Sequence, residues 1–515
     1  MISAVAWVRK GIASQKPQIV QYTKEELEEL GLQAQQELEL AQKDYQENEN
    51  NTETNEESID DLIENGINED EQKSSEFDDL AEFDMENYDN DEENVSDIDL
   101  LDQEQTGLSM FSNATSLLHI NRGNGEEEED PYIELDDGDN QSEIEELEID
   151  ARDNVLVVAK TEQEISNLEV YVYEGEMENL YVHHDIMLPS FPLCLEWVGH
   201  KVGKHNGEPG IGNYIAVGTF EPTIEIWNLD IVDVMLPDLV LGKQPSQKPK
   251  KKKKNQKVQS LDSHTDAIMS LSWNKNVMNI LASSSADKTV RIWDLNNASC
   301  LKTYNHHSDK VQTVQWHPTQ APVMITGSYD KSVAVVDTRA DENSILRFSV
   351  DSDVEGVCWD IHNENCFYTN LESGKVCYFD IRNGNNGLVY SIDAHSDSSC
   401  SSMDIHPTIK NCILTTGAND KTVKIWNTKN TENNVSLVVS RDLGVGKLFS
   451  GRFCPDSDFE ISIGGDGGKL IVWDLSTNSG VTSSFNLAPK RKTKSKPINY
   501  YRFFNVNIHK KQTKR

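Results

Sequence analysis

The 515-residue sequence contains no apolar run of roughly 18 residues, the length that a helix needs to span a bilayer. Met1–Ile12 has neither a long apolar stretch nor a small-residue cleavage site, so we expect no secretory signal. The eight cysteines form no CxxC pair and no disulfide framework, which favours free buried thiols in a reducing compartment. No unique set of catalytic or metal-ligating side chains stands out, so we expect no membrane partner, no cofactor and no enzymatic activity.

Basic residues are scarce in the first 150 positions, which carry 46 Asp and Glu against 7 Lys and Arg. The rest of the chain holds 42 acidic and 40 basic residues, so the net charge of −41 belongs almost entirely to the N-terminal region. Residues 47–150 are also poor in aromatic residues and cannot bury enough apolar surface to offset the entropy of ordering. We expect an acidic disordered arm, either a solvating tail or a segment that folds on a basic partner.

Two further features belong to this region. Four serines of the arm have an acidic residue three positions later and are candidate phosphorylation sites: Ser58, Ser75, Ser96 and Ser142. Residues 1–46 begin with a short apolar patch, and a capping box at Thr23 and Glu26 predicts a helix over Lys24–Lys43. The apolar patch either clasps the folded domain or docks on a partner.

Residues 151–480 contain a repeated strand pattern, an alternating segment that ends in an aromatic residue or Val followed by Asp or Asn. The repeated position steps by 43, 43, 47 and 47 residues from Trp293 to Trp473. A period of about 40–45 residues that ends in Trp-Asp is typical of a β-propeller blade. The sequence therefore predicts an all-β fold, a seven-bladed propeller, with residues 243–257 as a basic loop insertion and 481–515 as a basic C-terminal tail.

Three of the repeats carry a polar set. Blade three has His264, Ser283, Asp287 and Trp293, blade six has His395, Thr416, Asp420 and Trp426, and blade four has His307, Thr326 and Asp330 with Val336 in place of Trp. Buried polar groups persist when they are paired, so these residues are expected to form structural hydrogen-bond networks. One His-Ser-Asp set could suggest a hydrolase, but several copies at the same blade position favour structure.

The repeats resemble WD repeats, and the wider chain resembles the periodic tryptophan protein 1 family. The matching segments include ISAVAWVRKG at the start, IEIWNLDIVDV (Ile224–Val234), LASSSADKTVRIWD (Leu281–Asp294) and GSYDKSVAVVD (Gly327–Asp337). The resemblance implies a non-enzymatic nuclear and nucleolar protein in ribosomal RNA production and large-subunit assembly. Its implied partners are pre-ribosomal proteins and ribosomal RNA, with the chain a monomer in larger assemblies. The alternative is a chromatin-associated transcription regulator whose propeller binds histones.

Two basic segments complete the sequence. The loop insertion contains a candidate nuclear import signal for an import receptor: Lys248, Lys250, Lys251, Lys252, Lys253 and Lys254. The tail combines positive charge with aromatic rings that can stack on unpaired bases, and its RNA-binding candidates are Lys490, Arg491, Lys492, Lys494, Lys496, Tyr500 and Tyr501. The alternatives are a solvated loop and a tail whose aromatic residues pack on the propeller.

Overall fold

The computed structural model describes residues 1–20, 147–163, 165–175, 177–242, 263–340, 344–429 and 435–487. Strands in these ranges form seven antiparallel blades, and the innermost strands of neighbouring blades contact one another in a ring. This architecture confirms the predicted all-β, seven-bladed propeller. Most of the acidic arm, the helix predicted over Lys24–Lys43, the lysine-rich loop and the chain beyond residue 487 lie outside the described residues.

The first two blades share a small parallel pair of strands. Blade one consists of β1 (Ile2–Val8), β3 (Asn154–Glu162), β4 (Ile165–Glu174) and β5 (Asn179–Leu188), while β2 (Gln18–Ile19) lies outside the blades. Blade two consists of β6 (Pro192–Val198), β7 (Tyr214–Thr219), β8 (Ile224–Asn228) and β10 (Leu239–Leu241), and its β9 (Ile231–Val232) pairs with β2.

Blades three to six each have four consecutive strands. Blade three consists of β11 (Ile268–Trp273), β12 (Ile280–Ser285), β13 (Val290–Asp294) and β14 (Ser299–Tyr304). Blade four consists of β15 (Val311–Trp316), β16 (Val323–Ser328), β17 (Ser332–Asp337) and β18 (Leu346–Ser349). Blade five consists of β19 (Val354–Trp359), β20 (Cys366–Leu371), β21 (Lys375–Asp380) and β22 (Leu388–Asp393). Blade six consists of β23 (Cys400–Ile405), β24 (Cys412–Gly417), β25 (Thr422–Asn427) and β26 (Ser436–Asp442).

Blade seven has three strands among the described residues: β27 (Leu448–Phe453), β28 (Glu460–Gly465) and β29 (Ile471–Asp474). Helix α1 (Ser479–Ser484) follows, and the Asn478 side chain caps it by accepting hydrogen bonds from the backbone N–H groups of Gly480 and Val481. Val481 is buried in the cluster that joins blades six and seven. Within the described residues, short 3₁₀ helices cover Gly203–His205, Ile381–Asn386 and Leu475–Thr477.

The innermost strand of blade one comes from the start of the chain. Strand β1 pairs with β3, with Val5 opposite Val158 and Trp7 opposite Leu156. The boundary drawn from the sequence at residue 151 therefore leaves out part of the propeller, and residues 9–153 connect the first two strands of one blade. The sequence allows the apolar patch at the start of the chain either to pack on the folded domain or to dock on a partner, and the structure supports packing on the domain. The side chains of β1 face two neighbouring blades: Ile2, Val5 and Trp7 pack against blade seven, whereas Ala4, Ala6 and Val8 pack in the cluster that includes blade two.

The same strand closes the ring against blade seven. Ile2, Val5 and Trp7 form a buried cluster with Cys454, and the Trp7 indole donates a hydrogen bond of 3.4 Å to the Arg452 carbonyl. Gly464 makes this approach possible, because a Cβ atom there would lie 2.5 Å from Cγ2 of Ile2. The glycine-rich GGDGG segment, Gly464–Gly468, therefore serves the seam between the first and last blades.

The chain on either side of the acidic segment is also fastened to the propeller. The Ser14 backbone N–H donates to the Asp230 carboxylate at 2.8 Å, and the Ile149 backbone N–H donates to the Gln15 carbonyl at 3.1 Å. Pairing of β2 with β9 adds a further backbone connection to blade two. These contacts hold residues 9–20 and 147–150 beside blades one and two.

Candidate interaction site

Blade three contains a complete chain of hydrogen bonds from an indole to a carboxylate. The Trp293 Nε1–H donates to Ser283 Oγ at 2.8 Å, and Ser283 lies 2.7 Å from His264 Nε2. The other ring nitrogen of His264 donates to Asp287 at 2.8 Å. The four predicted residues thus meet in one network, which links the loop entering the blade to its second and third strands.

The electrostatics of this network favour a neutral histidine beside a charged aspartate. Burial lowers the pKa of His264 and outweighs the opposing effect of Asp287. Burial would raise the pKa of Asp287, but hydrogen bonds from His264, Thr289 and the Thr265 backbone outweigh it, and the pKa falls below its ordinary value. The Ser283 hydroxyl accepts from the indole and is fully buried, so it is not exposed as a nucleophile.

Blade six contains the same network with one correction to the predicted residues. His395 Nδ1 lies 2.7 Å from Asp420, and His395 Nε2 and the Trp426 Nε1–H both lie 3.0 Å from Thr415 Oγ1, not from Thr416. Thr416 bonds instead to Ser401 at 3.0 Å. In blade three the hydroxyl residue lies four positions before the aspartate, and the same spacing from Asp420 leads to Thr416. The spacing differs in blade six because the turn after β24 is one residue longer than its counterpart in blade three. Thr416 pairs with Val423, whereas Ser284 pairs with Val290.

Blade four replaces the missing indole with a second histidine. His307 connects Asp330, at 2.9 Å, to Thr326, also at 2.9 Å. Val336 occupies the tryptophan position, and His306 Nε2 reaches Thr326 Oγ1 at 2.9 Å in place of the indole. The His306-His307 dipeptide is the sequence signal for this substitution. Burial, with the nearby His307 and Arg347, lowers the pKa of His306 to about 3, so its ring is neutral.

A second set of histidines connects neighbouring blades at the ends of the inner strands. His317 Nε2 lies 2.9 Å from the Glu364 carbonyl of blade five, and His406 Nε2 lies 3.0 Å from the Asp458 carbonyl of blade seven. The Nδ1 atom of each ring accepts from backbone N–H groups of its own turn, at 3.0–3.2 Å. Both types of network join pieces of the scaffold and leave the loops of the propeller as the surface for partners.

The connections between strands define two faces of the propeller. We call the face that carries the loops between blades and between second and third strands the upper face, and the other the lower face. Gly242 and Ser263, which flank the lysine-rich loop, lie beside Pro222 at the upper face. The acidic segment leaves the propeller where the Val20 backbone N–H bonds to the Val232 carbonyl of the lower face. The two charged segments therefore depart from different faces.

Blades two and three expose apolar side chains on the lower face. The exposed fractions are 55% for Ile211, 57% for Met235 and 50% for Leu236, and Val277 and Met278 are exposed in the next blade. The loops are tied together, because His200 Nε2 lies 2.8 Å from Asn296 Oδ1 and the Asn206 amide donates to the Asn296 carbonyl. Exposed apolar side chains on the loops of neighbouring blades suit a protein-interaction site. We refer to these five apolar residues as the lower-face patch.

The remaining predicted sites lie outside the described ranges. These are the import lysines Lys248 and Lys250–Lys254, the RNA-binding candidates of residues 490–501, and the serines Ser58, Ser75, Ser96 and Ser142. Within the described ranges, no helix is long and apolar enough to cross a membrane. The same ranges contain no group of three or more His, Cys, Asp or Glu residues placed to hold a metal ion.

The fold and its three polar networks define a WD-repeat β-propeller. The family described as "WD domain, G-beta repeat" matches residues 255–294, 298–337 and 386–427, which correspond to blades three, four and six. These are the blades in which histidine, a hydroxyl and aspartate meet, so the networks coincide with the parts of the chain that match the family.

Three relatives match nearly the whole length. An uncharacterized WD repeat-containing protein of Schizosaccharomyces pombe is 44% identical over 492 residues, covering 94% of this chain and 91% of the relative. Periodic tryptophan protein 1 of Saccharomyces cerevisiae is 35% identical, covering 94% and 90%, and the periodic tryptophan protein 1 homolog of Drosophila melanogaster is 30% identical, covering 94% and 96%. The chain belongs to the periodic tryptophan protein 1 family of WD-repeat proteins.

Proposed function

We propose that this WD-repeat protein is a non-enzymatic scaffold of the nucleus and nucleolus that acts in ribosomal RNA production and large-subunit assembly. Full-length membership of the periodic tryptophan protein 1 family is the observation that carries the proposal. The scaffold role is supported by networks that fasten the blades internally while the loops remain available to partners. The lower-face patch offers an apolar surface for pre-ribosomal proteins.

Division of labour between the two basic segments follows from their composition. The lysine-rich loop contains Lys248 and Lys250–Lys254 without an aromatic residue, which suits an import receptor. The tail has basic residues followed by Tyr500 and Tyr501, which suits RNA, because rings stack on unpaired bases and cations neutralise phosphates. The propeller with its tail is nearly neutral, so local basic segments must supply any phosphate affinity.

Affinity purification of the full chain from nuclear extract, with and without ribonuclease, tests the proposal. We expect pre-ribosomal proteins and ribosomal RNA to be recovered, with ribonuclease removing some of the proteins. Substitution of Ile211, Met235 and Leu236 by Ser is expected to release the proteins that survive ribonuclease, whereas Ile361→Ser on the lower face of blade five serves as the matched control. Recovery of histones alone, unchanged by ribonuclease, would contradict the proposal and favour the chromatin alternative.

Substitution of the two basic segments tests the division of labour. Replacing Lys250–Lys254 by Gln is expected to move the protein toward the cytoplasm while leaving RNA binding in vitro unchanged. Replacing Lys490, Arg491, Lys492, Lys494 and Lys496 by Gln is expected to weaken RNA binding and flatten its salt dependence while the protein stays nuclear. A nuclear loop variant, or a tail variant with full RNA affinity at physiological salt, would contradict the assignment.

A further inference from the structure

Blade seven ends in a strand with no neighbour on its outer side among the described residues. In each of the other six blades a fourth strand pairs with the third, but the sheet of blade seven ends at β29. The exposure of the strand reflects this difference. Ile471 and Val472 are partly exposed, whereas Arg291 and Ile292 at the same positions of blade three are buried. A strand edge with apolar side chains is a surface that favours pairing with another strand.

A groove lies along this edge, between blade seven and blade one. Its volume is about 260 Å³, and its lining includes Val472 and Trp473 from β29 and Tyr173 and Leu180 from blade one. On the other side, the guanidinium of Arg441 lies 5.3 Å from the ring centroid of Trp473. The edge is therefore bounded by two neighbouring blades.

The C-terminal tail contains a segment with the sequence pattern of such a strand. Residues 504–508 read Phe-Asn-Val-Asn-Ile, a strict alternation of apolar and amide side chains. Fourth strands in the other blades bury an apolar residue against the third strand, for example Tyr304 opposite Val290 and Phe348 opposite Val333. The matching position of blade seven is Leu470, which is only partly buried. Alternating apolar residues could cover it on one face and expose asparagines on the other.

We propose that residues 504–508 form the fourth strand of blade seven, with Phe504, Val506 and Ile508 facing the propeller. The direction of the chain agrees with this pairing. An antiparallel neighbour of β29 must start beside Asp474, and the described chain continues from that end of the strand through α1 to Leu487. The 17 residues from Leu487 to Phe504 can span up to about 56 Å, which is ample for one blade.

This pairing changes the geometry of the basic tail. The basic residues between Lys490 and Lys496 become part of the connection between the third and fourth strands of blade seven, which lies at the lower face. A free basic end becomes a loop anchored at both sides. The strand also lies against both β29 and blade one, so it reinforces the seam at which the ring closes.

Hydrogen–deuterium exchange of the full chain tests the proposal, with the amides of Val472 and Asp474 as the reporters, because the amides of Ile471 and Trp473 point toward β28. Truncation after residue 497 is expected to speed their exchange by about tenfold or more, because the edge of β29 loses its partner. A synthetic peptide of residues 499–510 added to the truncated chain is expected to restore slow exchange. The peptide separates loss of pairing from damage to the fold, because only a folded, open edge can bind it.

The alternation of the segment supplies a matched pair of variants in the full chain. Val506→Asp with Ile508→Asp is expected to reproduce the fast exchange, whereas Asn505→Asp with Asn507→Asp adds the same charge on the opposite face and is expected to leave exchange slow. Equal exchange in the full and truncated chains would overturn the proposal. So would a dimer by light scattering that truncation converts to a monomer, because the strand would then come from a second copy.

Discussion

Blade three and the seam between blades one and seven are held together by different kinds of interaction. Blade three is built from 37 consecutive residues, Ile268–Tyr304, and its buried network joins its own loop and strands. The seam joins Ile2–Val8 to residues more than 440 positions away and relies on apolar packing, one indole hydrogen bond and a glycine. A blade can thus be specified locally by polar geometry, whereas ring closure depends on shape complementarity between distant segments.

The difference bears on how the protein works as a scaffold. The networks in blades three, four and six each tie a loop to the strands of its own blade, at places away from the seam. The seam in turn fixes the points at which the acidic segment begins and ends, since β1 precedes it and β3 follows it. The charged segment is therefore held at both ends by the same domain that presents the lower-face patch.

The largest expected effect is loss of the blade-three indole. Trp293→Ala is expected to reduce the free energy of unfolding by about 3–5 kcal/mol, because it removes a fully buried aromatic ring and the donor to Ser283. Trp426→Ala is expected to behave in the same way. Chemical denaturation of the full chain measures both. A Trp426→Ala protein that unfolds like the wild type would show that the networks do not hold the blades.

A smaller loss is expected when the seam is overpacked. Gly464→Ala places a Cβ atom against Ile2 and is expected to reduce stability by about 1–3 kcal/mol. Ile2→Ala in the same chain removes the clashing atom and is expected to recover part of that loss. A double-mutant cycle by thermal or chemical unfolding measures the coupling. Additive effects would mean that Ile2 does not contact Gly464 in solution.

The corrected blade-six residue provides a third comparison. Thr415→Val leaves the Trp426 indole and His395 without their shared partner and is expected to reduce stability by about 1–3 kcal/mol. Thr416→Val serves as the control and is expected to have a smaller effect, since Thr416 hydrogen-bonds outside the network. The reverse ranking in denaturation experiments would restore the residue that simple spacing predicts.

The smallest effect concerns pH and the histidine pair of blade four. The pKa of His306 is lowered from 6.5 to about 3, so the unfolded chain binds a proton that the folded chain does not between these values. Stability from this residue is present above about pH 6.5 and decreases as the pH falls toward 3. His306→Asn is expected to flatten the decrease between pH 6.5 and 5, measured by denaturation at each pH. An unchanged slope would contradict the neutral buried ring.

The sequence predicts the blades well, because each ending of an aromatic residue or Val followed by Asp or Asn marks a strand and a turn within a short stretch. It also predicts most members of the polar networks, since their spacing reflects one repeated hairpin. The errors have physical causes. The pairing of Ile2–Val8 is invisible to local periodicity because its partners are about 150 and 450 residues away. Thr415 is missed because one turn gains a residue, and His306 because a ring from a different position replaces the indole.

Hydrogen–deuterium exchange of Ile2–Val8 in the full chain tests the central structural claim, that the start of the chain closes the propeller. If β1 is the innermost strand of blade one, its amides that bond to β3 should exchange as slowly as those of Ile268–Trp273, the innermost strand of blade three. Exchange within seconds, as expected of an unpaired terminus, would contradict the closure and return Ile2–Val8 to the role of a partner-docking peptide.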